Sequence, residues 1–159
     1  MSTARRLHRP ERRKLLLATM ALGLTPFTSW ALTEPVPMTV WKDPNCGCCA
    51  DWVVHLESHG FLVTVNDSGN SAVRSRLGLP QKYASCHTAV TQGYVIEGHV
   101  PAGDIHRLLK EKPAALGLAV PGMPIGSPGM DGPAYGGRSD RYAVLLIEKN
   151  GRASVFSSY

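Results

Sequence analysis

Trp41-Lys42-Asp43-Pro44-Asn45-Cys46-Gly47-Cys48-Cys49-Ala50-Asp51-Trp52 is the stretch on which the reading of this chain turns. It follows a strand-like run, Met38 to Lys42, and leads into a helix-like run that ends at His59. Three of the four cysteines therefore fall at a strand-to-helix turn. The first turn of a helix carries unpaired N–H groups and the positive end of the helix dipole. Both favour thiolate over thiol, and thiolate is the nucleophile and the metal ligand. A helix start is thus expected to acidify Cys48 and Cys49.

Working outward, the helix over about Cys48 to His59 places Trp52, Val53 and Leu56 on one apolar face and stops at Gly60. Phe61-Leu62-Val63-Thr64-Val65 reads as a second strand, and the resulting βαβ unit implies parallel strands. A short helix capped by Asn70 or Ser71 runs to about Leu77. Thr88–Thr91 and Tyr94–His99, joined at Gln92-Gly93, read as an antiparallel hairpin. Pro101 and Asp104 open a helix to about Lys110, with Ile105, Leu108 and Leu109 at helical spacing. Gly117 to Gly137, rich in Gly and Pro, reads as one long loop, of the kind that is either functional or disordered. Tyr142–Ile147 and Ala153–Phe156 flank Asn150-Gly151, a strong hairpin signal. This order of elements predicts an α/β fold: a thioredoxin-like domain over residues 38–159 with an added C-terminal β-hairpin, after a lead-in at 32–37.

Residues 1–31 read as a signal peptide. Arg5, Arg6, Arg9, Arg12, Arg13 and Lys14 form a basic start, Leu15 to Leu24 an apolar run, and Ser29-Trp30-Ala31 a cleavage site of small residues. Glu11-Arg12-Arg13-Lys14-Leu15-Leu16 resembles a twin-arginine signal, without its usual Ser or Thr and Phe. The apolar run falls short of the roughly 20 residues that span a bilayer. Export to the periplasm without stable membrane insertion is the expectation. The leader holds six of the 17 Lys and Arg and one of the 12 Asp and Glu, so 11 of each remain. The formal charge of +5 therefore belongs to the leader, and the neutral remainder argues against a nucleic-acid partner.

Cys46 and Cys49 satisfy C-x-x-C, the thioredoxin-type redox spacing, and residues three apart at a helix start share a face. Cys48 breaks the plain dithiol pattern. It points about 100° away from Cys49 around the helix, and three diverging sulfurs suit several ions bridged by shared thiolates. In a thioredoxin-like fold the loop before the third strand runs beside the start of the first helix, so Cys86 is expected to join the other three. His87 is a ligand candidate equally well explained as a backbone-bonded loop histidine. Met123 and Met130 lie on the Gly/Pro loop, where thioethers are placed to close over the site or simply to pack. Thiolates and thioethers favour Cu(I). His55, His59, His99 and His106 read as surface or capping residues, and Trp52 as core. No Ser-His-Asp group, phosphate-binding glycine motif or carboxylate pair stands out.

Lys42-x-x-x-Cys46-Gly47-Cys48-Cys49, Ser85-Cys86-His87-Thr88, Glu97-Gly98-His99-Val100-Pro101 and Val120-Pro121-Gly122-Met123-Pro124-x-Gly126-Ser127-Pro128-Gly129-Met130 together resemble the CopG family of periplasmic copper-resistance proteins, over about Met38 to Tyr159. The resemblance implies a thioredoxin-like fold, copper handling in the bacterial envelope beside other copper-resistance proteins, and a cluster of Cys46, Cys48, Cys49 and Cys86 holding several Cu(I) ions. It also implies a change of copper's oxidation state. The competing reading is a thiol–disulfide oxidoreductase acting on proteins through Cys46 and Cys49.

Overall fold

The computed structural model describes residues 34–159; the expected signal peptide lies outside the described residues. Seven strands form one mixed sheet with helices packed against it. β1 (Val36–Lys42) is followed by α1 (Gly47–Ser58) and β2 (Phe61–Asn66). β1 and β2 pair in parallel, Val36 opposite Phe61, as a helical crossover between adjacent strands requires. β1 begins two residues earlier than its sequence indicated, inside the expected lead-in. α1 buries Cys49, Trp52, Val53 and Leu56, one stripe at helical spacing. Gly60, with φ of 84°, ends it in a conformation that glycine adopts without strain.

α2 (Ser71–Arg76) and a single 3₁₀ turn (Gln81–Tyr83) lead to β3 (His87–Thr91), antiparallel to both β1 and β4 (Tyr94–Glu97). The expected order of strand, helix, strand, helix, strand, strand, helix is thus present, completed by α3 (Ala102–Glu111). The second strand of the central hairpin stops at Glu97 rather than His99. Gly98 takes φ of 70°, and a Cβ there would collide with the Val120 carbonyl and the Ser85 side chain.

Gly117 to Gly137 is not one loop. Gly117–Ala119 forms β5, parallel to β4 and antiparallel to β6 (Ala143–Ile147), which pairs with β7 (Ala153–Ser158). Three residues are too few to show the alternation that marks a strand in sequence. β5 forms because its neighbours supply both ladders and Leu118 is fully buried. Gly117 is needed there, since a Cβ would overlap the Val95 backbone. The C-terminal hairpin is consequently part of a single sheet ordered β2-β1-β3-β4-β5-β6-β7. The core gathers Val40, Trp52, Leu56, Ile96, Ile105, Leu108 and Leu118, all fully buried. Among the described residues no helix is long and apolar enough to cross a membrane.

Asp104, expected only as an opening residue of α3, ties that helix to the end of the chain. It is buried and accepts hydrogen bonds from Ser157 Oγ at 2.5 Å and Tyr159 Oη at 2.8 Å. Asp104→Ala strands both hydroxyls, and is expected to lower stability by about 1–3 kcal/mol. A urea titration with unchanged midpoint would remove this tie from the account of the fold.

Candidate metal centre

The chain leaves β1 at Lys42 and turns at Asp43 to Asn45, with Asp43 Oδ1 accepting the Asn45 N–H at 2.8 Å. Cys46 is the residue before α1, in extended conformation, and its carbonyl receives the Ala50 N–H. Gly47, Cys48 and Cys49 form the first turn. Cys49 points inward and is fully buried, whereas Cys46 and Cys48 are half-buried and Gly47 is exposed. Cys46 and Cys49 are joined by a disulfide, and Cys48 Sγ lies 3.6 Å from Cys46 Sγ.

Cys86 reaches this turn from the loop before β3, as expected. The four sulfurs lie within 4.8 Å of one another. Cys48 and Cys86 are free thiols. Cys86 is pushed up to about 12, first by burial and then by Cys48 beside it, so it is held as a thiol until a cation displaces its proton.

The Cys86 loop is held from beneath by a buried carboxylate. Glu97 Oε1 accepts from the Ser85 N–H at 2.7 Å and from Arg74 Nη1 at 3.1 Å, and Oε2 from Thr88 Oγ1 at 2.5 Å. Asn70 Nδ2 and Arg74 Nη1 donate to the Ser85 carbonyl. Burial raises Glu97 above the ordinary carboxylate value, opposed by Thr88, Ser85 and Arg74. Arg74 stands in an ordinary helical run, and Glu97, although it opens one of the motifs of the resemblance, carries no local sign that it would brace this loop.

His99 is also missed by sequence reading. It is fully buried, not a surface or capping residue, and its Nε2 lies 3.1 Å from Cys86 Sγ. Nδ1 must donate to the Pro128 carbonyl at 2.8 Å, since a carbonyl only accepts. His87, likewise fully buried, places Nδ1 3.3 Å from Cys86 Sγ. Its ring lies against Trp52 and edge-on to His99. Burial and then His99 push His87 down to about 3; burial also lowers His99, against the raising effects of Pro128 and Asp131. Both rings are neutral at neutral pH, the form that ligates metal. Two sequence signals mark it: its place in the Glu97-Gly98-His99-Val100-Pro101 motif and its position beside Gly98, where β4 breaks.

The remaining histidines fit the surface and capping reading: His55 Nε2 accepts the Ala102 N–H at the start of α3, and His59 and His106 are exposed. Met130 is buried, its Sδ accepting from Tyr135 Oη at 3.2 Å, and Met123 is 51% exposed. The Gly/Pro loop meets the site through its backbone. Pro128 offers its carbonyl to His99, and Gly129 packs so closely on α1 that a Cβ would stand 2.6 Å from the Cys48 carbonyl and 2.8 Å from the Trp52 nitrogen.

Fold and site define an α/β protein with a sulfur-rich group of residues able to bind metal at one end of its sheet. A family model described as "Protein of unknown function, DUF411" matches residues 83–130, which hold Cys86, His87, His99 and the Gly/Pro stretch as far as Met130. No curated protein matches the chain. Two solved structures, forms 1 and 2 of copper resistance protein CopG, are similar to it at 50% identity and a TM-score of 0.73. The match covers 79% of this chain and 98% and 99% of theirs. The chain belongs to the CopG family of copper-resistance proteins, and a copper-related role follows from that membership together with the cysteine group.

Removing Glu97 leaves Arg74 buried without its partner. Glu97→Ala is expected to cost about 3–5 kcal/mol, read as the urea midpoint, and to raise the alkylation rate of Cys86 as its loop loosens. A variant as stable as the parent would show that the carboxylate does not support the loop.

Proposed function

We propose that this chain is an exported copper-resistance protein of the bacterial envelope. It holds more than one Cu(I) in a cluster formed by the Cys46, Cys48, Cys49 and Cys86 thiolates. The observation that carries this reading is the grouping of the four sulfurs within 4.8 Å. Soft thiolates favour Cu(I), and three of them diverging from one helical turn are better shared between ions than closed around one. The leader at 1–31, cut after Ala31, delivers the chain to the periplasm, where copper ions and other envelope copper-resistance proteins are its partners.

The same cysteines serve to change copper's oxidation state. Oxidation of the Cys46 and Cys49 thiols to their disulfide releases two electrons and two protons. Two Cu(II) take up the electrons and become two Cu(I), the protons pass to solvent, and the Cys48 and Cys86 thiolates hold the ions produced. An external dithiol resets the pair by thiol–disulfide exchange.

The Cys46–Cys49 disulfide also favours a second reading, a thiol–disulfide oxidoreductase acting on protein substrates with Cys46 as the attacking thiol. That reading requires metal-free reduction of insulin disulfides and tolerance of Cys48→Ser.

Metal analysis with thiol counting separates the two. Mature protein, reduced and loaded anaerobically with Cu(I), is expected to retain more than one copper per chain with all four thiols protected. No retained copper and one reversible disulfide would transfer the assignment to the oxidoreductase. Cys86→Ser is expected to lower copper retention while changing stability by less than about 1 kcal/mol; unchanged stoichiometry would exclude Cys86 from the cluster.

A further inference from the structure

Cys86 belongs to two groups of ligand atoms at once. Besides the four sulfurs, Cys86, His87 and His99 bring one donor atom each within 4.8 Å of one another. We propose that these three residues form a second metal subsite, a mixed sulfur–nitrogen site for a divalent ion, that shares Cys86 with the thiolate cluster and stays complete when Cys46 and Cys49 are disulfide-bonded. The identity of the ion as Cu(II) rests on the function proposed above; the site itself rests on the geometry.

The hydrogen positions follow from the contacts. His99 Nδ1 carries its proton to the Pro128 carbonyl, so in the neutral ring Nε2 is a bare lone pair aimed at Cys86 Sγ, 3.1 Å away. A carbonyl fixing the far nitrogen of an imidazole is the arrangement that orients metal-ligating histidines. Sulfur and bare nitrogen thus converge on one point, where a cation could take both as ligands.

The spacing suits a shared ion. Metal–sulfur bonds of about 2.3 Å and metal–nitrogen bonds of about 2.0 Å leave two donors on one ion roughly 3–3.6 Å apart. The Cys86–His99 and Cys86–His87 separations of 3.1 and 3.3 Å lie in that range. His87 enters through Nδ1, the nitrogen 3.3 Å from Cys86 Sγ; with that lone pair turned to the sulfur, the ring proton sits on the buried Nε2.

The donor set separates the two groups chemically. All-sulfur ligation selects Cu(I), whereas two imidazoles and one thiolate suit divalent copper or zinc. Disulfide formation removes two sulfurs from the first group and none from the second. A divalent ion thus has a place in the oxidised chain, with Cys86 as the common vertex through which it adjoins the thiolate cluster.

The test uses mature protein carrying the Cys46–Cys49 disulfide and two titratable thiols, with Co(II) as the probe because thiols do not reduce it. One Co(II) per chain is expected, with a thiolate-to-Co(II) charge-transfer band. Cys86→Ser should abolish the band, and His99→Gln should weaken binding by about tenfold or more. Circular dichroism and Cu(I) stoichiometry of the reduced His99→Gln chain confirm that the variant is folded; should it fail to fold, His87→Gln replaces it with the same expected loss. Absence of the band in the disulfide form, or undiminished affinity in a folded histidine variant, overturns the subsite. Failure of the cluster reading appears elsewhere, as one copper or fewer retained by the reduced chain, and the Co(II) result stands independently of it.

Discussion

Everything at the cysteine end of this molecule depends on one carboxylate kept out of water. Glu97 is fully buried at the end of β4, and the groups that satisfy it are the Ser85 N–H, the Thr88 hydroxyl and the Arg74 guanidinium. Those partners come from both sides of Cys86 and from α2. A buried ion pair of this kind is poor evidence for net stability, because desolvation offsets its Coulombic gain. It does confine the loop, since moving Ser85 away would leave charges unpaired in the interior. The sulfur of Cys86 thereby arrives at the first turn of α1 on a short, braced connection.

The opposite side is braced by glycine and carbonyl rather than by charge. Gly129 lies against the Cys48 carbonyl and the Trp52 nitrogen, at a distance no side chain would permit, and Pro128 holds the His99 ring by its Nδ1. Inside this segment Gly126 donates to the Met130 carbonyl and Met130 to Ser127. A stretch rich in Gly and Pro is therefore a set of tight turns, and the residues that look like spacers are the ones in contact with the site.

What could be read in the sequence was whatever repeats or clusters locally. Three cysteines in one turn, the stripe of Trp52, Val53 and Leu56, and the Asn150-Gly151 turn each declare themselves within a few residues, and the α/β arrangement with its terminal hairpin followed from them. Cys86 was placed only by assuming how the third strand lies beside the first helix. β5 escaped because three residues carry no period and its stability comes from two neighbours distant in sequence. His99 escaped because its burial is decided by the turn at Gly98 and by a carbonyl almost thirty residues later. Arg74 and Glu97, 23 residues apart, show no sign in the sequence of being partners until folding pairs them. Long-range polar pairing leaves little local trace.

The disulfide has two unequal ends. Cys46 stands half-buried at the mouth of an exposed turn, and Cys49 is fully enclosed with its sulfur 3.7 Å from the Cys86 carbonyl. Exchange requires a thiolate to approach the sulfur it attacks, so a reductant from solution meets Cys46 and displaces Cys49. The bond behaves as a one-way door. Its outer leaf is open to solvent, and its inner leaf opens onto the other sulfurs.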